Sequence, residues 1–237
     1  MFHLAQSIYN KMKEKPEYSI LILGIENSGK TTFLEQLKKK SGLNHKNFNK
    51  ILPTMGQNVA NIPIHGDNLL ECSTALDNRS NDLVLRVWDL SGQKRLRKLW
   101  SRYFDKCHAI IYILDSSLDD ETDGNMGKKI EELVAVFKTD LLTMLNTNNK
   151  NIPILILANK QDKSDIIDIV DLKLAFNNEL QRMDDDFDSR ILPISAITGE
   201  GIDACINWLV LRLRRNSVIR PPVYRLSLIH ISEPTRH

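Results

Sequence analysis

A chain of 237 residues with 42% hydrophobic content is long enough to bury one sizeable core and favours a single domain over two. Its formal net charge of +2 is nearly balanced and leaves no strong footprint for nucleic acid, so no nucleic-acid partner is expected. Cys72, Cys107 and Cys205 suggest neither a disulfide framework nor a zinc site, and the longest apolar runs are strand-sized; reduced thiols, a cytoplasmic setting and no membrane span follow as expectations.

In chain order, residues 1–14 set Met1, Leu4, Ala5, Ile8 and Met12 at helical spacing, with Lys11 and Lys13 on the other side. This predicts a short amphipathic helix, able to dock on the domain's own core or to enter a membrane interface. Lys15-Pro16-Glu17 breaks it before the first strand, around Ile20-Leu21-Ile22-Leu23. Directly after comes Gly24-Ile25-Glu26-Asn27-Ser28-Gly29-Lys30-Thr31, a G-x-x-x-x-G-K-T run, and then an amphipathic helix from Thr32 to Lys40. Glycines at both ends let successive N–H groups turn inward on phosphate oxygens, and the helix adds its positive N-terminal end. Gly24, Asn27, Ser28, Gly29, Lys30, Thr31 and Thr32 are therefore expected to bind nucleotide, with Lys30 reaching the β- and γ-phosphates and the Thr31 hydroxyl on Mg²⁺.

Ser41 to Ile51 is polar, rich in Asn and Lys, and reads as a mobile connector into Pro53-Thr54-Met55-Gly56-Gln57-Asn58. Thr54 offers a second hydroxyl for Mg²⁺. Strands are predicted at Gln57 to His65 and Leu83 to Asp89, separated by a polar insertion from Gly66 to Asp82 in which no chemistry is evident. The second strand ends in Asp89-Leu90-Ser91-Gly92-Gln93. Here Asp89 fits a carboxylate held near the metal, through water or directly, Gly92 can bring its N–H close to a γ-phosphate, and Gln93 can orient an attacking water.

Lys94 to Tyr103 reads as a basic helix, Ala109 to Asp115 as a buried strand, Leu118 to Asp123 as an acidic loop, and Lys128 to Asn146 as a long helix. The strand Ile152 to Ala158 ends in Asn159-Lys160-Gln161-Asp162, an N-K-x-D element in which the Asp162 carboxylate can accept from guanine N1–H and the exocyclic amino group. A helix near Asp171 to Arg182, an acidic loop 184–188, a strand Ile191 to Ile194 and a helix Ile202 to Arg215 follow. Ser195-Ala196 closes the last strand, where the Ala196 N–H could cover guanine O6. Alternating strands and helices predict right-handed crossovers and a mostly parallel sheet with helices on both faces, ligand at the strands' carboxyl ends, and one antiparallel edge from the hairpin of residues 57–89. A nucleotide kinase or ATPase remains open at this point, as does a module that holds nucleotide without turnover. N-K-Q-D argues against the first and Gln93 against the second.

Together, G-x-x-x-x-G-K-T, P-T-x-G, W-D-x-x-G-Q, N-K-Q-D and S-A-x-T-G resemble the Arf and Arf-like branch of Ras-type small GTPases over residues 1 to about 225. Trp88 before Asp89 and the helical segment before the first strand point to Arf over Ras or Rab. Met1-Phe2-His3-Leu4, the stretch Tyr18 to Gly24, Thr31 to Glu35 and Arg220-Pro221-Pro222 resemble the Arf-related protein subgroup of the trans-Golgi.

This resemblance implies a Ras-like phosphate-loop GTPase domain over 16–217, preceded by an N-terminal helix (1–15) and followed by a tail (218–225). It implies a monomeric GTP/GDP switch with Mg²⁺, peripheral on the Golgi membrane through its first helix and an integral membrane receptor. An exchange factor, a GTPase-activating protein and effectors are the partners it implies. Thr54 becomes the first switch's metal ligand, Gln93 the water-positioning residue, and Trp88 with Tyr103 part of the effector surface. Three residues depart from the family pattern: Ser91 stands for a glycine, Gln57 for an effector-contacting aromatic, and Phe2 for the myristoylated glycine, which excludes that anchor. Leu226 to His237 resemble a translated sequencing adaptor and are set apart from the fold.

Overall fold

The computed structural model describes residues 15–66, 82–118, 125–145, 151–183 and 188–224, the side chains of 182 and 183 excepted. The predicted N-terminal helix, nearly all of the 66–82 insertion, much of the two acidic loops and the segment 226–237 lie outside the described residues.

Strand β1 (Pro16–Leu23) lies near the middle of the sheet, where alternation of its side chains feeds two separate cores. Ile20 and Ile22 join Phe33 and Leu34 of α1 (Lys30–Lys40) and Trp208, Leu209 and Leu213 of α6 (Ile202–Arg215). Leu21 and Leu23 face the opposite way, with Phe137 of α4 (Met126–Asp140) and Phe176 of α5 (Ile169–Met183). β4 (Ala109–Asp115) and β5 (Ile154–Asn159) are buried along their whole length, as parallel strands covered on both faces must be.

The remaining strands are β2 (Gln57–Ile64), β3 (Leu83–Leu90), β6 (Ser189–Pro193) and β7 (Val223–Tyr224). The order is β2-β3-β1-β4-β5-β6, parallel from β3 to β6, with β2 antiparallel to β3 as the expected edge. The chain leaves β1 toward β3 on one side and β4 on the other, so a crevice opens at the carboxyl end of β1, where Gly24 begins the phosphate-binding loop.

Four segments depart from the sequence reading. The connector carries local structure of its own: the Glu35 carboxylate accepts from the Lys46 N–H at 2.7 Å, and Phe48–Lys50 forms a 3-10 turn capped by Asn47. The basic helix of 94–103 divides into α2 (Lys94–Arg97) and α3 (Ser101–Phe104), because the hydrogen bonds between them close from Leu99 to Leu96 and from Tyr103 to Trp100, three residues apart, as Trp100 turns into the core. The helix expected to run to Asn146 ends at Asp140, followed by a 3-10 turn at Leu142–Met144.

Fourth, residues 218–224 do not trail away from the domain. Strand β7 pairs antiparallel with β1 at Pro16 and Glu17, a second antiparallel pairing that the sequence did not suggest. Arg220 donates to the carbonyls of Phe104 (3.4 Å) and Cys107 (2.9 Å), and the His108 ring joins the strap to β1, its Nδ1 accepting from Ser19 N–H at 2.9 Å and its Nε2 meeting Pro221 O at 3.0 Å. Cys107 and Cys205 are buried free thiols, and burial pushes both up to about 12. Among the described residues no helix is long and apolar enough to cross a membrane.

Candidate functional site

The turn after β1 needs backbone shapes that side chains resist. Gly24 and Gly29 have φ of 141° and 92°, and Asn27 joins them at 59°. A Cβ on Gly24 would lie 2.1 Å from the carbonyl oxygen of Ile113, and one on Gly29 would lie 2.1 Å from Asn159 Nδ2. The loop is thus pressed between β4 and the N-K-Q-D element. Ser28 Oγ donates to Ile25 O at 3.0 Å, and Lys30 Nζ folds back on the same carbonyl. Burial pulls the Lys30 ammonium down to about 8, Arg97 adding to the shift while Asp89 and Glu26 oppose it.

Three predicted metal ligands converge beside this lysine. Thr31 Oγ1 donates to Asp89 Oδ2 at 2.7 Å, Thr54 Oγ1 donates to the same oxygen at 3.2 Å, and the two hydroxyls are 2.9 Å apart. Thr54 reaches the site because β2 is registered with β3, which also sets Asn58 opposite Asp89. Asn58 Nδ2 donates to Asp89 Oδ2 at 3.2 Å and to Thr54 Oγ1 at 3.4 Å. Sequence reasoning passed over Asn58, since a polar residue on an edge strand reads as solvent-facing.

The other Asp89 oxygen, Oδ1, is buried without a hydrogen-bond partner. An orphaned carboxylate oxygen beside two hydroxyls, with no group of three His, Cys, Asp or Glu side chains among the described residues, fits Mg²⁺, which takes few protein ligands and completes its shell with water and phosphate oxygens.

A cleft of about 460 Å³ opens over this cluster, lined by Glu26, Asn27, Thr32 and the loop lysine, by Phe48 and Leu52 on one wall, and by Ser91 to Gln93 on the other. Gly92 could carry no side chain: a Cβ there would sit 2.6 Å from both Gly24 O and Lys30 Nζ. Gln93 stands at the rim, its Oε1 accepting from Arg95 Nε at 3.2 Å and its Nε2 3.9 Å from Met55 Sδ. Ser91 continues the hairpin pairing by one bond, its N–H donating to Gly56 O at 2.9 Å.

At the end of β5, Asn159 is a structural clamp: Nδ2 donates to Ser28 O at 2.7 Å, and Oδ1 accepts from Ala196 N–H at 2.9 Å. The Ala196 N–H, expected to cover guanine O6, is therefore already engaged by Asn159. Lys160, at φ 70°, sends its Nζ to Asp115. Asp162 accepts from Ser195 Oγ at 2.6 Å, which orients its exposed carboxylate.

On the outer face of the hairpin, Trp88 and Tyr103 lie with ring centroids 5.9 Å apart, and Tyr103 OH donates to Gln57 Oε1 at 2.6 Å. Gln57 is thereby fastened to the neighbouring ring.

A sequence model of Arf, the ADP-ribosylation factor family, matches residues 5–213. The chain is 43% identical over 225 residues to ADP-ribosylation factor-like protein 3 of Saccharomyces cerevisiae, spanning 95% of this chain and 100% of that protein. It is 35% identical over 227 residues to ADP-ribosylation factor-related protein 1 of Bos taurus and of Homo sapiens, spanning 95% of the chain and 98% of each. Among solved structures, the Arl6 BBS3 small GTPase from Trypanosoma brucei, bound to the nucleotide analogue GppNp, matches with a TM-score of 0.56 at 25% identity, over 84% of this chain and 98% of that one.

Proposed function

The chain belongs to the ADP-ribosylation factor family, small GTPases that bind GTP and GDP with Mg²⁺ and hydrolyse GTP, and on that premise we propose a switch that recruits effectors in vesicle traffic at the trans-Golgi. The observation that carries the switch reading is the meeting of Thr54 with Thr31 and Asp89, which draws a segment of the first switch to the phosphate loop. GTP orders residues 41–58 and 89–103 around its γ-phosphate, and hydrolysis releases that order.

In this reading Lys30 binds the β- and γ-phosphates, Gly92 N–H meets the γ-phosphate, and Gln93 orients the attacking water. Thr31, Thr54 and Asp89 would hold Mg²⁺, Asp89 directly or through water. The bound ion neutralises charge that builds on the phosphates. Asp162 reads guanine, while Ser195 aims its carboxylate. Arg95 and Arg97 are committed to Gln93 and Gly92. An activating protein therefore supplies the catalytic arginine, worth about 10³ to 10⁵ in rate. Trp88 and Tyr103 face effectors, and the Gln57–Tyr103 bond makes that surface unlike one with three aromatic groups.

Support for the membrane role comes from the apolar spacing of residues 1–14 and the likeness to the Arf-related subgroup. Position 2 is Phe rather than the glycine that N-myristoylation takes, and a helix of the kind this spacing predicts binds lipid weakly unaided, so a membrane-protein receptor, helped by acetylation of Met1, completes the anchor. The hairpin slides along the sheet on GTP binding and frees that helix. The test is flotation of unacetylated, GTP-loaded monomer with protein-free liposomes and with Golgi membranes. Weak binding to the former, firm binding to the latter, and loss of both on deleting residues 1–14 with nucleotide affinity intact support the reading. Tight GTP-dependent binding to bare liposomes overturns the receptor.

A further inference from the structure

Gly92 is the point where the second switch touches the phosphate loop, and a glycine has no side chain with which to fix its own peptide planes. Both planes are fixed by residues that follow it. The carbonyl before it, Ser91 O, accepts from the indole Nε1 of buried Trp100 at 3.2 Å. Because a trans peptide sets N–H and C=O on opposite sides, the Gly92 N–H points away from Trp100. The carbonyl after it, Gly92 O, accepts from Arg97 Nε at 2.7 Å.

Arg97 has a second partner on a different element. Its Nη1 is ion-paired with Asp140 Oδ2, at the last residue of α4, and both side chains are largely shielded. Three residues earlier on α4, Phe137 packs against Tyr112 of β4 and Phe176 of α5, with ring centroids 5.0 and 5.1 Å apart. Burial pushes the Tyr112 phenol up; the Asp140 carboxylate adds to this and Arg97 opposes it, so the same charge pair is felt in the core between β4 and the two helices.

We propose that Arg97 is a positioning residue for the γ-phosphate: it holds the Gly92 carbonyl while Asp140 holds it, and it thereby couples the end of α4 to the nucleotide state. Guanidinium suits the task because its planar fork donates in two directions at once, one to a neutral carbonyl and one to a carboxylate, which an ammonium at the same position cannot do in a fixed geometry. The inference rests on the reading that Gly92 N–H meets the γ-phosphate.

The experiment measures the Kd of GDP and of the non-hydrolysable GppNp, with melting temperatures, for Gly92→Ala, Arg97→Ala, Arg97→Lys, Asp140→Asn and the swap Arg97→Asp/Asp140→Arg. Arg97→Ala and Arg97→Lys should lower preference for GppNp over GDP by about tenfold or more, the cost of losing a charged hydrogen bond, while GDP affinity holds. Asp140→Asn should give a smaller loss in the same direction. The swap restores opposite charges and should recover melting temperature but not GppNp preference, because position 97 no longer donates to Gly92. If Gly92→Ala leaves the preference unchanged, the reading of Gly92 itself fails. If Gly92→Ala lowers it but both Arg97 substitutions leave it within twofold, or the swap restores it, the positioning role is overturned while that reading stands.

Discussion

Asn159 donates its side-chain amide to the backbone carbonyl of Ser28 at 2.7 Å, across 131 residues of sequence. Its other amide atom accepts from Ala196 N–H, so one buried side chain ties the phosphate loop, the end of β5 and the Ser195-Ala196 turn together. It is one of several direct links between these loops, beside the Ser195–Asp162 bond and the Thr31–Asp89–Thr54 cluster.

Asn159→Ala should therefore act on affinity and stability together. It leaves the Ser28 carbonyl and the Ala196 N–H unpaired, a loss of about 2 to 4 kcal/mol if neither finds water. Dissociation of a fluorescent GDP should quicken by at least about tenfold with a lowered melting temperature. Unchanged dissociation would show that the clamp has no hold on the phosphate loop.

Lys30 gives the site a pH dependence whose sign differs between folding and binding. Its folded pKa, about 8, lies below the unfolded value, so between these limits the folded protein binds fewer protons, and this group favours folding more as pH rises through that window. Nucleotide works the other way, because phosphate oxygens favour the ammonium. Affinity for GDP should fall as pH rises above 8, and calorimetry at pH 8 in buffers of different ionisation enthalpy should show uptake of about half a proton on binding. Binding without proton uptake would mean that Lys30 stays charged before nucleotide arrives.

Asp162→Asn replaces an acceptor carboxylate by an amide and keeps the shape that Ser195 Oγ supports at 2.6 Å. Preference should move from GTP toward XTP, whose C2 carbonyl meets the new donor, by about 1 to 3 kcal/mol. Competition between the two triphosphates measures this. A variant that still prefers GTP as the wild type does would place base recognition elsewhere.

The strap at the other end of the sheet separates stability from function. His108→Ala removes the acceptor for Ser19 N–H and the partner of Pro221 O, and should lower unfolding free energy by about 2 to 4 kcal/mol in urea titration. GDP affinity should not change, since the nucleotide loops lie at the opposite strand ends. Equal loss of both would mean that the strap communicates with the site.

These residues also mark what a sequence can disclose. The bounds of β4 and α6 match their predicted spans, Ala109–Asp115 and Ile202–Arg215, because an unbroken apolar run and an amphipathic period set them locally. The motif residues were legible because phosphate chemistry ties residue type to spacing. What escaped depends on partners remote in sequence: Asn58 acquires its role from register with Asp89, and the strap from contacts between Arg220 and Cys107, 113 residues apart. A two-residue strand has no periodicity to read. The break between α2 and α3 follows from Trp100 turning to the core and its indole meeting Ser91 O, a tertiary demand that overrides helical spacing.

The role of Gln93 in GTP hydrolysis is tested most directly by single-turnover measurements on wild type and Gln93→Leu, each loaded with Mg²⁺ and followed with and without an activating protein. Gln93 stands at the rim of the cleft beside Gly92, where its amide N–H donates to Ser91 Oγ at 3.4 Å and its side chain meets Met55 and Arg95. Wild type should hydrolyse GTP slowly and be accelerated by the activating protein, while Gln93→Leu should keep GTP and GDP affinities within error of wild type and lose stimulated hydrolysis. Stimulated hydrolysis by Gln93→Leu at the wild-type rate would contradict the assignment of the switch's chemistry to this site.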